Sequence, residues 1–189
     1  MARKPQANNA RVDILDAAAK LVARKGSSHL TIDAVAAEAG LSKGGVLYHF
    51  PSKEALLVGM LEQMVDTISP IVDDYRTKHA DKPNPTLRAV IEGSRFPDGI
   101  NSDVATAILA AAAQNPALLD PVRNLFKKRW EQIAAECTDK DEATLLWCAA
   151  EGMMFCSLLN LMPFPLDKRD HLIARLSDMA ANTSSNCKG

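Results

Sequence analysis

The stretch Ala39–Leu56, AGLSKGGVLYHFPSKEAL, gathers apolar, basic and aromatic residues around two adjacent glycines, Gly44 and Gly45, in a chain otherwise rich in helix formers. A glycine inside a helix costs roughly 1 kcal/mol relative to alanine. Folding alone gives no reason to place two side by side. What a glycine pair does permit is close approach of the backbone to another molecule. Ser42 and Lys43 come just before the pair and Tyr48, His49 and Lys53 just after, and all of them carry groups that can donate hydrogen bonds to a phosphate.

Working outward, apolar residues return at three- and four-residue steps almost everywhere and β-branched alternation is missing, so the expected fold class is all-α. Ile14, Ala18, Leu21 and Val22 form one stripe, stopped by Gly26. Ile32, Val35, Ala36 and Ala39 form a second, with Thr31 as N-cap, Asp33 in the first turn and Gly40 as the stop. A short third helix is expected from about Ser42 to Phe50. Pro51-Ser52 opens a long fourth, whose stripe from Leu56 through Met64 and Ile68 runs toward Tyr75. Thr77–Pro85 reads as a polar loop and Arg95–Asn101 as a turn. Further helices are expected over about 86–94, 103–114 and 117–136. Another starts at Thr138, with Asp141 three residues on in a variant capping box, and runs to about Met162; the last begins near Asp167.

Composition narrows the function classes. The chain has 189 residues, 47% of them apolar, which suits a folded protein. No apolar run approaches the roughly eighteen residues of a spanning helix, and no apolar segment follows the basic residues near the N-terminus. A soluble, cytoplasmic protein with no membrane association is therefore expected. Cys137, Cys148, Cys156 and Cys187 show no paired spacing and the four histidines are scattered, so neither a metal site nor a disulfide framework nor a cofactor is expected. Cys148 and Cys156 read as buried packing thiols. Residues 1–60 hold eight Lys or Arg against five Asp or Glu, whereas the whole chain has a net charge of −1. The basic front hints at a polyanion partner.

Two short helices joined by a glycine turn have the helix-turn-helix shape. Ala36 would face the partner helix, Gly40 would make the turn, and Leu41 with Val46 or Leu47 would plug the small core beneath, while Phe50 points inward. A duplex needs a helix that can lie in the major groove and donors around it that grip phosphates. Gly44 and Gly45 serve the first need and Ser42, Lys43, Tyr48, His49 and Lys53 the second. The alternative is that Tyr48, His49 and Phe50 merely complete a hydrophobic mini-core.

The run LTIDAVAAEAGLSKGGVLYHFPSKEALL, with ILDAAAKLVARKG before it, closely resembles the DNA-binding region of the TetR family of bacterial transcription regulators. The resemblance covers about residues 10–60. It rests on Thr31 opening the second helix, Gly40 in the turn, Tyr48-x-Phe50 closing the third helix and Lys53 shortly after. It implies that Thr31, Ser42, Lys43, Gly44, Tyr48, His49 and Lys53 contact DNA; Gly45 departs from the side-chain-bearing residue more usual at its position. Arg3 and Lys4 form either a basic arm to the duplex or a solvated tail.

The same resemblance implies a TetR-type DNA-binding domain over 8–68, with its helix-turn-helix at about 31–50, and a helical effector-binding and dimerisation domain over 69–189. It further implies a homodimer through the last two helices, a double-stranded palindromic DNA operator as partner, and a repressor released by a small apolar effector. Candidate pocket residues are Met64, Phe96, Phe126, Trp130, Trp147, Met154 and Phe155, large or deformable groups that equally well fill an ordinary core. Trp147, Glu151 and Met154 share a helical face, so Glu151 either meets a cationic or hydrogen-bond-donating ligand beside Trp147 or is structurally paired or exposed. An enzyme using His49 or His171 as base finds no supporting triad, phosphate loop or carboxylate pair. An interaction module that has lost DNA binding is the other alternative.

Overall fold

A computed structural model describes residues 7–95 and 102–183. Nine α-helices occur among them: α1 (Ala7–Lys25), α2 (Ile32–Ala39), α3 (Lys43–His49), α4 (Lys53–Lys78), α5 (Pro85–Gly93), α6 (Ser102–Ala112), α7 (Asp120–Glu136), α8 (Lys140–Leu158) and α9 (Leu166–Asn182). Short 3-10 turns precede α2 (Ser27–His29) and α7 (Pro116–Leu119). No strand occurs among the described residues. The chain packs as two compact units, one of residues 1–64 with 101–121, the other of 65–100 with 122–189. Phe96, Arg3, Lys4, Cys187 and most of the expected 95–101 turn lie outside the described residues.

In the first unit, α1 buries Ile14, Ala18, Leu21 and Val22, the expected stripe, and ends at Gly26 with φ 81°. Thr31 caps α2, its Oγ1 accepting from the Ala34 N–H at 3.2 Å. Gly40 closes α2 in the left-handed region, φ 67°, where Leu41 N–H reaches back to Ala36 O at 2.9 Å and Gly40 N–H to Ala37 O. These paired bonds satisfy the last carbonyls of the helix and turn the chain sharply into α3. Val46 is fully buried, but Leu47 is 36% exposed, so the plug beneath the turn is Val46 and Leu47 faces outward.

Phe50 is 2% exposed. It lies against Gly59 of α4, where an added methyl would stand 2.6 Å from Phe50 Cε1 and 3.2 Å from Leu15 Cδ2. The missing side chain is what lets the ring pass between α1 and α4. Arg11 covers the same ring at 5.1 Å and ties down Glu62 at 2.9 Å. An 18-residue window of α4 reaches a mean hydropathy of 1.4, long and apolar enough to cross a membrane by length and composition, contrary to the sequence expectation. In this fold Leu56, Leu57, Met60 and Leu61 spend that apolarity on the core.

In the second unit, Val72, Leu87, Ile91, Ile133, Leu146 and Ile173 bring α4, α5, α7, α8 and α9 onto one core. Its entry is held by Asn84, fully buried with φ 51°, a strained sign for a side-chain-bearing residue. Asn84 Nδ2 donates to Ala180 O and Thr183 O, both at 2.9 Å, and its Oδ1 accepts from Cys137 Sγ at 3.1 Å. Thr86 adds two bonds to Glu136, from its N–H at 2.8 Å and its hydroxyl at 2.6 Å. The expected loop thus ends in a buried junction. Burial pushes the Cys137 thiol up to about 11, with Glu136 and Glu142 adding to the effect, so it stays an inert donor. The cap of α8 is Asp139, whose carboxylate accepts from Glu142 N–H at 2.9 Å, one residue after the expected Thr138. That helix ends at Leu158 rather than Met162, because Asn160 turns left-handed at φ 54°.

Candidate functional site

The short helix α3 is built to project. Its N-cap is Ser42, whose Oγ accepts from Gly45 N–H at 3.1 Å, and its single buried residue, Val46, pins the inner side. The outer side carries Tyr48, 83% exposed, beside the half-buried His49, their rings edge to face at 5.1 Å. Thr31, Ser42, Lys43, Gly44 and Lys53 are exposed as well, and Gly45 is half-buried. A mini-core reading of Tyr48 fails on that exposure; of the aromatic trio, Phe50 alone is core.

Neither glycine is demanded by internal packing. A methyl on Gly44 would come no nearer than 4.0 Å to Ser42 Oγ, and one on Gly45 would meet Ser42 Oγ at 3.4 Å and Leu41 Cβ at 4.0 Å, ordinary contacts. Their lack of side chains leaves a backbone surface flanked by hydroxyl, imidazole, phenol and ammonium groups, chemistry suited to phosphate oxygens and base edges. One element escaped sequence reasoning: Lys43 Nζ is paired with Asp33 Oδ2 of α2 at 2.9 Å. The two side chains are 59% and 68% exposed, so the pair is worth at most about 1 kcal/mol and yields readily to a phosphate. The clue lay in Asp33 standing in the first turn of α2, two residues past the cap.

The pocket candidates divide. Phe126, Trp130 and Trp147 come together, Trp147 lying 5.3 Å from Phe126 and 6.0 Å from Trp130, the two indoles inclined by 6°. Trp147 Nε1–H donates to Glu151 Oε1 at 3.0 Å. Burial holds the Glu151 carboxyl above the usual carboxylate range, the indole N–H opposing it in part. Met154 is half-buried on the same helix, Met64 is half-buried on α4 within the other unit, and Phe155 is 37% exposed.

On α8 the outward side carries Leu145, 71% exposed, Phe155 and Leu159, with the small Ala149 and Gly152 exposed between them. Cys148 is exposed on that side too and is therefore not the buried packing thiol expected of it, while Cys156 is half-buried. These apolar and small residues form a strip that faces solvent.

A glycine-turned pair of short helices with a projecting, side-chain-poor second helix defines a helix-turn-helix module for nucleic acid. Residues 14–60 match the model of the bacterial regulatory proteins of the tetR family, and residues 84–181 the tetracyclin repressor-like C-terminal domain. The chain belongs to the TetR family. It is 31% identical over 96 residues to the HTH-type transcriptional regulator BetI of Stenotrophomonas maltophilia, an overlap of 49% of each chain. The chain thus spans about half the length, or less, of the curated relatives named BetI and AcrR. Among solved structures, a transcriptional regulator from Pseudomonas aeruginosa PAO1 superposes with a TM-score of 0.74 at 18% identity, over 95% of this chain and 93% of that one. The multidrug binding protein EbrR complexed with malachite green does so at 0.64 and 26% identity, over 88% and 96%.

Proposed function

We propose that this protein is a cytoplasmic, homodimeric repressor that binds a palindromic double-stranded operator through α3 and leaves it when a small effector occupies the helical second unit. The observation that carries the reading is the exposed α3 surface: glycines that the fold does not need, beside an 83% exposed Tyr48. Thr31, Ser42, Tyr48, His49, Lys43 and Lys53 clasp phosphates, and the Gly44-Gly45 backbone takes the close contact with the groove. The outward strip of α8 with α9 forms the dimer interface, burying Leu145 and Leu159. A twofold dimer sets two copies of α3 about 34–36 Å apart, one helical turn of DNA, which is why the operator is palindromic. Release follows if the effector binds better to a dimer whose α3 copies no longer match that spacing. The helix α4, continuous through residues of both units, carries the change. The likeness to a multidrug binding protein supports an effector-responsive role.

The test is the salt dependence of binding to a duplex selected from a random pool by the full-length protein. A phosphate-clasping dimer loses affinity linearly in log–log form, with a slope near −0.9 per phosphate neutralised. A flat response, or no selectable duplex, overturns the reading and leaves a protein-interaction module in its place. Sedimentation of Leu145→Arg, expected to shift toward monomer, examines the interface separately.

A further inference from the structure

One half-buried acid in the second unit carries an oxygen that the packing around it leaves unmatched. Glu151 follows Trp147 by one turn of α8, and the indole N–H satisfies its Oε1 at 3.0 Å. Its other oxygen, Oε2, is buried with no hydrogen-bond partner among the described residues. Leaving such an oxygen unmatched costs about 1–3 kcal/mol, and acids in ordinary cores are paired for that reason. Protonation does not remove the mismatch, because the acid O–H then lacks an acceptor. Through Trp147 the acid adjoins an aromatic cluster, Phe126 and Trp130 of α7 lying against that indole. Ring faces are negative at the centre and attract a flat, positively charged group, while a desolvated carboxylate rejects an anion.

We propose that Phe126, Trp130, Trp147 and Glu151 form the effector's recognition site and that it takes a flat aromatic cation bearing N–H donors, the donor meeting Glu151 Oε2 and the ring system lying against the aromatic cluster. The proposal rests on the effector-released repressor described above and names the chemistry of its effector. A neutral molecule of the same outline stacks equally well but brings no charge to the carboxylate. The site therefore selects by charge as well as shape.

The chain has two tryptophans, Trp130 and Trp147, and both belong to this cluster, so intrinsic emission reports its occupancy. Full-length protein is titrated calorimetrically at neutral pH with 2-naphthamidine, a cation with N–H donors, and with 2-naphthamide, its neutral isostere. The amidine is expected to alter tryptophan emission and to bind at least about tenfold tighter than the amide. Glu151→Gln, which keeps an acceptor for the Trp147 N–H, is expected to erase that preference while changing amide affinity by no more than about twofold. Equal affinities in the wild type overturn the proposal without needing any variant, and so does a preference that survives in Glu151→Gln. Operator anisotropy on the same samples separates the two readings. Release by both compounds alike keeps the repressor and discards the cation preference; amidine binding at Glu151 without operator release keeps the site and discards its effector role.

Discussion

Replacing Gly44 and Gly45 by alanine separates what the fold needs from what the partner needs. Neither residue adopts a positive φ, and the added methyls meet nothing closer than Ser42 Oγ at 3.4 Å. In a helix each Gly→Ala change is worth about 0.5–1 kcal/mol, so the double variant gains about 1–2 kcal/mol of stability. Ser42 still accepts from the residue 45 N–H, because the backbone need not move. Two methyls on the projecting side nevertheless hold α3 off the groove floor, and affinity for the selected operator is expected to fall at least about tenfold, or about 1.4 kcal/mol. Denaturant unfolding followed by circular dichroism and operator anisotropy at fixed salt are measured on the same preparations. A variant that is stabilised yet binds operator at full strength refutes the close-approach argument. One that is destabilised shows that the glycines serve the fold.

Lys43→Ala removes one phosphate contact per protomer, so the salt slope of a dimer is expected to become shallower by about two, whereas Asp33→Asn frees the same ammonium and tightens binding at low salt; both are read from anisotropy across a salt series. Asn84→Ala strips bonds from Ala180 O, Thr183 O and Cys137 Sγ in a fully buried junction and is expected to cost about 2–4 kcal/mol in urea unfolding. Glu151→Gln is expected to stabilise the apo protein at neutral pH. The folded-state value of Glu151 is raised, so the wild type carries a penalty for the ionised acid above that value, and the penalty vanishes below the unfolded value of about 4.3. Thermal melts should therefore show the variant's advantage shrinking as pH falls through that window; an advantage independent of pH would falsify burial of an ionisable Glu151.

Local chemistry made the first unit legible. Thr31, Gly40 and Ser42 act through neighbours within five residues, so cap, turn and stop follow from the sequence alone, and Phe50 is identified as core by its place after Tyr48-His49. Where long-range packing decides, the sequence is mute. Gly59 looks like a helix blemish until Phe50 and Leu15 are seen filling the space its side chain would occupy. Asn84 looks like a loop residue until Ala180 and Thr183, nearly a hundred positions away, arrive as its acceptors. Leu47 and Val46 were indistinguishable by hydrophobicity; which of them faces inward depends on the phase of a helix only seven residues long.

The candidate sites divide along the same physical line. At α3 a residue's role is set by exposure on a short, well-capped helix, and the spacing of Ser42, Lys43, Tyr48 and His49 already puts their polar groups at the two ends of a helix of about two turns. At α8 the helical step of four joins Trp147 to Glu151, but Phe126 and Trp130 reach Trp147 only because α7 packs alongside, and no periodicity within either helix reveals that. Conversely, the apolar length of α8 conceals that one side is core and the other is solvent-facing, Leu146 at 4% exposure next to Leu145 at 71%. A single helix thus presents an aromatic, acid-bearing side to the core and an apolar, small-residue side to solvent. The proposed effector site and the strip proposed to hold the second copy are thus carried on opposite sides of one backbone. A ligand that shifts the helix itself, and not only a side chain on it, would act on the proposed interface across the width of that helix.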